Sequence, residues 1–426
     1  MEKPKVLVVG INPWIDNTGI NTLINFFDDW DKSSLAHLYT RAKLPNTKIC
    51  DTFFRISEPK VIKSIFKKSI KTGEKVKNST STETEILAEN KIYSKKHSEI
   101  LSLARELIWK FGLWKTKELK QFLDEFKPDV LFFPIYPCAY MNRLQNFIQK
   151  YTGKPSVLYI SDDNFSYKSI AKNPVSLVSR FWLRHHEKKL FKNAREIMVI
   201  TPKQKEEYDK LWKKDCKILT KGIDFSKIDY TEKPVSKPIK MVYTGKLIIG
   251  RWISLSKIAE AMGDINKNGK KVELDIYTTD ILTEKQNKLL NKNGCKVKGS
   301  LTLEEVEKVQ KDADVLVFVE SLEKKYKYTA RLSFSTKITD YLKNGKCIFA
   351  IGDKDIAPID YFKRYDSAIT ATSYDEIKEK LNSLISNPNL INEYSVKAFE
   401  CGKLNHDKTI QKELLTNTIK AAMIND

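Results

Sequence analysis

Cysteine and histidine are scarce in this chain, and neither residue type is grouped. The six cysteines stand far apart with no Cys-x-x-Cys pair. This spacing argues against a disulfide framework and against a zinc site, and it is typical of reduced thiols in cytosol. The five histidines join no Ser/His/Asp or Cys/His arrangement that would favour nucleophilic catalysis.

Long apolar runs are missing as well. The longest, Val130–Ile135 and Val315–Val319, have the length of a strand, whereas a helix that spans a bilayer needs about 20 apolar residues. The first five residues lead directly into the apolar run that starts at Val6. We therefore expect no signal peptide and a cytoplasmic protein.

The glycine-rich phosphate-binding fingerprints are also absent. Neither Gly-x-Gly-x-x-Gly nor a Walker A sequence occurs, which argues against a nicotinamide or flavin dinucleotide site. Both halves of the chain nevertheless open with a strand that ends in glycine, at Gly10 and Gly245, where the backbone can turn sharply and admit a ligand. Lys246 and Arg251 follow the second glycine, either as ligand-binding cations at the carboxyl end of a parallel strand or as ordinary surface cations.

Positive charge dominates the chain, whose net charge is +21. Residues 1–237 hold 44 Lys and Arg against 28 Asp and Glu, and residues 238–426 hold 31 against 26. This excess predicts anionic partners such as nucleic acid, acidic lipid headgroups or phosphorylated substrates; a lysine-rich solvated surface is the alternative. The basic segments Lys60–Lys77 and Ser98–Phe126 carry aromatic residues, so they could lie on an anionic bilayer or be ordinary surface helices.

Strand-like runs alternate with helical periodicity along the whole chain, which is the pattern of parallel βαβ units. The length of 426 residues predicts two domains, and residues 229–239, with two prolines, predict a linker. We expect an N-terminal domain of residues 1–230 that is completed by a returning helix of residues 405–426, and a C-terminal domain of residues 231–404. The predicted strands are Val6–Gly10, Ala36–Thr40, Val130–Phe133, Ser156–Ile160, Ile197–Ile200, Lys217–Leu219, Lys240–Tyr243, Lys271–Tyr277, Lys296–Lys298, Val315–Val319, Cys347–Ile351 and Ala368–Thr370.

The segment from Arg331 to Gly352 is the most informative part of the chain. It predicts a polar loop, a helix that begins at Thr336 and stops at Gly345, and then a buried strand. Ser335 and Thr336 suit the helix N-cap, and Arg331 and Lys337 place cations at the same terminus. Free N–H groups, hydroxyls and cations together predict a diphosphate site, and Asp340, one turn later, could accept hydrogen bonds from ribose hydroxyls. A capped crossover helix without a ligand is the alternative.

Two adjacent carboxylates, Asp162 and Asp163, follow the predicted strand Ser156–Ile160. Carboxylates at a strand end can accept substrate hydroxyls, act as a base or hold a metal. They can also cap the next turn, which is the expected role of at least one of them. No histidine or further acid stands near them in sequence to complete a metal set.

Several of these motifs, taken in order, resemble those of GT-B glycosyltransferases, close to the family 4 group that builds bacterial polysaccharides. The resemblance covers nearly the whole chain. It rests on Glu187–Tyr208, on Ile218–Asp224 before the linker, on Gly245-Lys246 in place of the usual Gly-Arg, and on Ser335–Gly345 in place of the donor helix. The family has two glutamates eight positions apart around that helix. Here Asp340 takes the second position and Leu332 the first, so Glu320 is the candidate substitute for the missing carboxylate.

The resemblance implies an α/β GT-B fold, with two Rossmann-like domains facing across a cleft and a C-terminal helix packing back on the first. It also implies roles for individual residues. The donor diphosphate site is Gly245, Lys246, Arg251, Arg331, Ser335, Thr336 and Lys337. The nucleoside site is Tyr277, Gly299, Ser300, Leu301 and Asp340, and the acceptor side is Asn17, Thr18 and Gly19. The candidate catalytic carboxylates are Asp162, Asp163 and Glu320, which match no family motif and are chosen for their places at strand ends.

The activity implied by the resemblance is transfer of a sugar from a UDP- or GDP-linked donor to a glycan or lipid-diphosphate-linked acceptor. We expect retention of configuration, no metal and no cofactor beyond the nucleotide-sugar co-substrate. We also expect a role in cell-surface polysaccharide biosynthesis in a bacterium, with possible peripheral association with the inner face of the plasma membrane. Two alternatives remain open: a basic nucleic-acid-binding protein, supported by charge alone, and another GT-B sugar-nucleotide enzyme such as an epimerase.

Overall fold

The computed structural model describes residues 3–16, 22–79, 99–170 and 173–424. The chain divides into two compact units, each of which contains one sheet. Unit 1 comprises residues 1–200, 204–219 and 411–426, and unit 2 comprises residues 201–203 and 220–410.

In the described part of unit 1, eight strands form one sheet in the order β4-β3-β2-β1-β5-β6-β7-β8. Neighbouring strands are parallel, except that β3 and β4 are antiparallel. The strands are β1 Val6–Val9, β2 Leu35–Tyr39, β3 Thr52–Ile56, β4 Gly73–Val76, β5 Val130–Pro134, β6 Ser156–Ile160, β7 Glu196–Val199 and β8 Lys217–Ile218.

The central strand β1 consists of four apolar residues, and all of them are fully buried. A parallel strand covered on both faces needs such a continuous apolar run, which is why this strand could be recognised in the sequence. The helices described between residues 22 and 212 are α1 Thr22–Phe27, α2 Glu58–Phe66, α3 Glu99–Phe111, α4 Lys117–Phe126, α5 Ala139–Thr152, α6 Pro174–Asn193 and α7 Pro202–Trp212.

Unit 2 contains a sheet of six parallel strands in the order β11-β10-β9-β12-β13-β14. This is the strand order of a dinucleotide-binding Rossmann fold, whose ligands bind at the point where the order reverses, here between β9 and β12. The strands are β9 Ile239–Thr244, β10 Val272–Tyr277, β11 Cys295–Gly299, β12 Val315–Val319, β13 Cys347–Ile351 and β14 Ile369–Ala371. The helices are α8 Arg251–Ile265, α9 Glu284–Leu290, α10 Leu303–Asp312, α11 Lys327–Ala330, α12 Thr336–Lys343, α13 Ala357–Arg364, α14 Tyr374–Ser386 and α15 Asn389–His406.

The C-terminal helix α16, Lys408–Ile424, packs back on unit 1, as predicted. Leu415, Ile419 and Ala422 are buried in the same core cluster as Val6 and Phe132. The predicted α/β architecture with two Rossmann-like sheets is confirmed as well. Among the described helices, none has both the length and the apolar character that crossing a membrane requires.

The basic segment of residues 98–126, whose sequence shows helical periodicity throughout, forms two helices, α3 and α4, separated at Gly112. A Cβ atom at Gly112 would lie 2.4 Å from Cγ1 of Val61, so the chain passes too close to α2 for any larger residue. Thr116 then caps α4 by accepting a hydrogen bond from the backbone N–H of Leu119. Helical periodicity alone could not locate this break, because it is set by contact with a distant segment.

Strands β3 and β4 were not predicted, and the basic segment Lys60–Lys77 was expected to be helical. The helix ends at Phe66, and Gly73–Val76 pairs antiparallel with β3 at the sheet edge. This edge strand has no apolar alternation. It is held by charge instead, because Glu74 forms ion pairs with Arg55 at 2.7 Å and with Lys60 at 2.9 Å.

Helices α13 and α15 were also not predicted. In α15, Gly402 lowers the intrinsic helix propensity near the C-terminal end. A Cβ atom at this position would lie 2.9 Å from Cζ of Phe225. Close packing of the helix against that ring therefore requires glycine, and tertiary contact overrides the local preference.

We expect Ile419→Ala to lower the free energy of unfolding by about 2–5 kcal/mol, because it leaves a cavity in the core of unit 1. Ile424 lies on the same helix but is 80% exposed, so Ile424→Ala should change stability by less than about 0.5 kcal/mol. Urea denaturation followed by circular dichroism measures both. Equal stability of the two variants would contradict the packing of α16 on unit 1.

Candidate functional site

A cavity of about 320 Å³ opens at the carboxyl ends of β9 and β10 in unit 2. It lies beside the reversal of strand order, where a sheet of this topology binds ligands. Its lining includes nine of the residues predicted to bind a nucleotide: Gly245, Lys246, Tyr277, Ser300, Leu301, Ser335, Thr336, Lys337 and Asp340.

One end of the cavity is formed by the first turn of α12. Ser335 is the N-cap residue, and its hydroxyl accepts a hydrogen bond from the backbone N–H of Lys337 at 3.4 Å. The ammonium of Lys337 lies 4.8 Å from the centroid of the Tyr243 ring. A helix N-terminus with a cation beside it is an arrangement that suits an anion.

The electrostatic state of Lys337 is unusual. The pKa of this lysine is lowered to about 8, mainly by burial and also by the neighbouring Arg251 guanidinium, whereas the carboxylates of Glu320 and Asp340 act in the opposite direction. An anionic ligand placed here would favour the protonated ammonium, since an opposite charge stabilises the charged form.

Gly245 is required by this arrangement. Its φ of +151° is one that side-chain-bearing residues rarely adopt, and a Cβ atom there would lie 2.1 Å from Nζ of Lys337. The loop after β9 therefore passes directly against the ammonium. Its backbone N–H donates to the carbonyl of Tyr277 at 2.9 Å, which ties the loop to β10.

Arg251 and Glu320 form a two-point ion pair beside Lys337. The guanidinium donates from Nη2 to Oε1 at 2.7 Å and from Nε to Oε2 at 3.1 Å. Glu320 directly follows β12 and is buried, so β9 and β12 bring the pair together although its members are far apart in sequence. Burial lowers the pKa of Arg251, but the Glu320 carboxylate outweighs it and the net shift is upward.

Four of the predicted residues in unit 2 stand outside the cavity lining: Arg251, Gly299, Glu320 and Arg331. Arg251 is directed to Glu320 instead of to the open cavity. The carbonyl of Arg331 accepts a hydrogen bond from the N–H of Ala357 at 2.9 Å. Gly299 ends β11, and its carbonyl accepts a hydrogen bond from the N–H of Thr278 at 2.7 Å, next to the lining residues Ser300 and Leu301.

Sequence reasoning missed Lys221, whose ammonium donates to Oδ1 of Asp340 at 2.7 Å. It lies in the Lys-Gly-Ile-Asp run that was noted only for its place before the linker. It also missed Gln310 in the cavity wall, whose amide donates to the hydroxyl of Thr244 at 2.9 Å and accepts from Asn344 at 3.0 Å. A single glutamine on an otherwise ordinary helix gives no signal in the sequence.

The two candidate catalytic carboxylates of unit 1, Asp162 and Asp163, differ in environment. Asp163 is buried, and it accepts hydrogen bonds from the backbone N–H of Ser166 at 2.9 Å and from the hydroxyls of Ser169 and Tyr208. Its oxygens thus stabilise the following turn, the capping role that the sequence analysis expected for one of the pair. Asp162 is exposed. The predicted acceptor residues Asn17, Thr18 and Gly19 lie outside the described residues.

Within the described residues of both units, no group of three or more His, Cys, Asp or Glu side chains is arranged to hold a metal ion.

Sequence comparison finds no matching family model and no matching curated protein. Structural comparison finds many similar chains. The structural alignment with TarM of S. aureus covers 97% of this chain and 98% of the TarM chain, with a TM-score of 0.58 and 11% identity. Anabaena Alr3699/HepE covers 98% and 100%, with a TM-score of 0.60 and 11% identity. The chain has the GT-B fold.

A third solved structure of this GT-B set is sucrose-phosphate synthase from Thermosynechococcus elongatus. It covers 99% of this chain and 99% of its own, with a TM-score of 0.61 and 9% identity. The GT-B fold is thus shared over nearly the full length, although few residues are identical.

We expect the pKa of Lys337 to move in opposite directions in two variants. Glu320→Gln removes a carboxylate that raises the pKa, so the value should fall below about 8; Arg251→Gln removes a cation that lowers it, so the value should rise. The rate at which Lys337 reacts with an acetylating reagent as a function of pH, followed by peptide mass spectrometry, gives the pKa. An unchanged midpoint in both variants would contradict the coupling of these three charges.

Proposed function

We propose that this protein is a glycosyltransferase. It moves a sugar from a nucleotide-diphosphate sugar to a glycan or lipid-linked acceptor, in cell-surface polysaccharide biosynthesis. The observation that carries the proposal is the placement of the Lys337 ammonium and the first turn of α12 against the glycine loop that follows β9. Such a site suits a diphosphate at the reversal of strand order.

The lining of the cavity suits a nucleotide. Tyr277, Leu301 and Val306 provide aromatic and apolar side chains that suit a base, and Asp340 is a carboxylate that suits ribose hydroxyls. The cavity volume of about 320 Å³ lies at the lower end of the roughly 300–1,000 Å³ typical of ligand pockets. HepE has been solved with UDP and with UDP-glucose, and TarM with UDP, which supports UDP as the first nucleotide to test.

The proposed chemistry depends on stabilising the leaving group. As the bond from the sugar to the diphosphate breaks, negative charge grows on the diphosphate oxygens. Lys337, Lys246 and the N–H groups of α12 would stabilise that charge, and fixed donors of this kind are a large contribution to catalysis. Arg251 would join them by exchanging Glu320 for a phosphate oxygen. Because these groups supply the counter-charge, we propose a reaction that needs no metal, and retention of configuration as the family resemblance implies.

Two carboxylates are the candidates for contact with the acceptor and the donor sugar. Asp162 is exposed at the carboxyl end of β6 and is the carboxylate of unit 1 whose position suits an acceptor hydroxyl. Glu320, held by Arg251, is the candidate for contact with the donor sugar once the diphosphate has displaced it. Both roles are proposals that follow from placement at strand ends.

Nucleotide affinity should depend on pH through Lys337. Below pH 8 the ammonium is already protonated, so UDP affinity should be constant; above pH 8 a proton must be taken up on binding, so affinity should fall by up to about tenfold per pH unit. Lys337→Arg keeps the charge at all these pH values and should remove the dependence. Isothermal titration between pH 7 and about 9.5 tests this, and an equally steep decline in Lys337→Arg would contradict it.

Loss of the cation should weaken binding strongly. Lys337→Met removes a charge-assisted contact of about 1.5–3 kcal/mol, so the Kd for UDP or GDP should rise by about 10- to 100-fold. Lys343→Met is the matched control, because Lys343 lies at the other end of α12 and pairs with Glu307 at 2.9 Å. Calorimetry on both variants decides the assignment, and equal Kd values for Lys337→Met and the wild type would remove it.

The reaction itself can be tested with a panel of UDP- and GDP-linked sugars. With a suitable acceptor, we expect nucleotide release together with a new glycoside whose anomeric configuration is that of the donor, as read by proton NMR. Addition of a chelator should leave the rate unchanged. Conversion of one sugar nucleotide to another without an acceptor would favour an epimerase, and an inverted product would contradict retention.

A further inference from the structure

Three helices of unit 1 expose large apolar side chains to solvent. Phe66 on α2 is 88% exposed, Phe111 on α3 is 65% exposed and Phe181 on α6 is 69% exposed. Leu107, Leu177 and Val178 on α3 and α6 are also exposed. We call these six residues and the exposed lysines beside them the lysine–aromatic surface; the lysines are Lys63, Lys67, Lys68, Lys110 and Lys115.

The three helices are neighbours, so the exposed side chains belong to one region. The N–H of Leu113, just after α3, donates to the hydroxyl of Ser64 on α2 at 2.9 Å. On the other side, the ammonium of Lys110 on α3 lies 5.6 Å from the ring centroid of Trp182 on α6. The C-terminal end of α3 therefore lies between the helices that carry Phe66 and Phe181.

Helix α3 is apolar on the face that points away from the core. Among residues 101–111 of this helix, Glu106 and Trp109 are buried, and Leu107 and Phe111 project from roughly the opposite side. The next helix, α4, shows the ordinary arrangement, with Phe122 and Leu123 buried and Gln121 and Glu125 exposed. A surface helix normally places polar residues toward solvent, so the outward apolar face of α3 indicates a surface that is covered by a partner.

The charge of this region is of one sign. Residues 59–73, 107–117 and 173–186 together contain ten Lys or Arg and no Asp or Glu. Of the acids that border these ranges, Glu58, Glu74 and Glu106 form ion pairs with Arg105, Arg55 and Arg143, Glu118 lies 4.0 Å from Lys71, and Glu187 is buried. Within these three ranges the acidic and basic side chains beside the apolar centre are all basic, which is complementary to a surface that is anionic outside and apolar inside.

We propose that the lysine–aromatic surface docks unit 1 onto an anionic lipid bilayer. The phenylalanine rings would enter the boundary between headgroups and acyl chains, and the lysines would lie at the level of the lipid phosphates. A second copy of this chain fits the surface poorly, because a symmetric contact would place the same cations opposite one another. The proposal does not rest on the proposed function, since it uses none of the residues of the unit 2 cavity.

The test is co-sedimentation of the full chain with vesicles of phosphatidylcholine alone and of phosphatidylcholine with phosphatidylglycerol. We expect binding to the anionic vesicles, little binding to the neutral ones, and weaker binding as salt rises to about 0.15 M, where the Debye length is about 8 Å. Absence of binding to anionic vesicles at low salt would overturn the proposal. Equal binding to both kinds of vesicle would overturn its electrostatic part.

Two sets of substitutions assign the binding to this surface. In the first set, Ser replaces Phe66, Phe111 and Phe181 together. This variant should partition onto the anionic vesicles at least tenfold less, and its circular dichroism should be unchanged because all three side chains are exposed. In the second set, Gln replaces Lys63, Lys67 and Lys68. The vesicle partition coefficient should then fall by about 100-fold, since each lysine near an anionic surface contributes about fivefold. The matched controls are Ile424→Ser, also exposed on unit 1, and Gln at Lys267, Lys270 and Lys271, which removes the same charge from unit 2.

The assignment to this surface would be overturned if vesicle binding persists in both sets of variants. It would also be overturned if the control variants reduce binding by the same factor. If the chain does not bind vesicles but forms a dimer in sedimentation velocity, and the phenylalanine substitutions abolish that dimer, the partner of this surface is a second copy of the chain and not a bilayer. UDP titration of the same samples separates this proposal from the first: vesicle binding without UDP binding supports docking and counts against the transferase, and the reverse result counts against docking alone.

Discussion

The contact between the Lys337 ammonium and Gly245 is the constraint on which the candidate site depends. The ammonium occupies the space that a side chain at position 245 would fill, so the loop after β9 and the start of α12 can approach each other only because one residue has no Cβ. This approach places a helix N-terminus, a cation and a backbone turn within one cavity at the reversal of strand order. Each alone is common in α/β proteins; together they suit an anionic ligand.

Charge around this contact is balanced within the protein. Arg251 is held by Glu320, and Asp340 is held by Lys221. Two cations and two carboxylates therefore surround Lys337, which is left with a lowered pKa because burial is not fully offset. A ligand with a diphosphate would stabilise the protonated lysine and compete with Glu320 for Arg251. Separating a buried ion pair is costly unless each charge finds a new partner.

The fold was predictable where burial on both faces imposes a continuous apolar run. Strands such as β1, β6, β12 and β13 could be located within a residue or so, since parallel strands at the centre of a sheet have no polar face. The edge strand β4 could not, because an edge needs no such run and Glu74 holds it by ion pairs. The break at Gly112 was hidden for a related reason, as it is set by contact with Val61 on another helix.

The sequence by itself determined the two α/β halves, the returning C-terminal helix and most of the cavity lining, because glycines, N-cap residues and cations at strand ends are local signals. Tertiary structure alone decided which charges meet. Residues 251 and 320 are joined by the adjacency of β9 and β12, and residues 221 and 340 by the packing of a loop on α12. Tertiary structure also brought Phe66, Phe111 and Phe181 to one region of unit 1. Pairing of distant side chains depends on strand order and helix packing, which no local pattern of residues records.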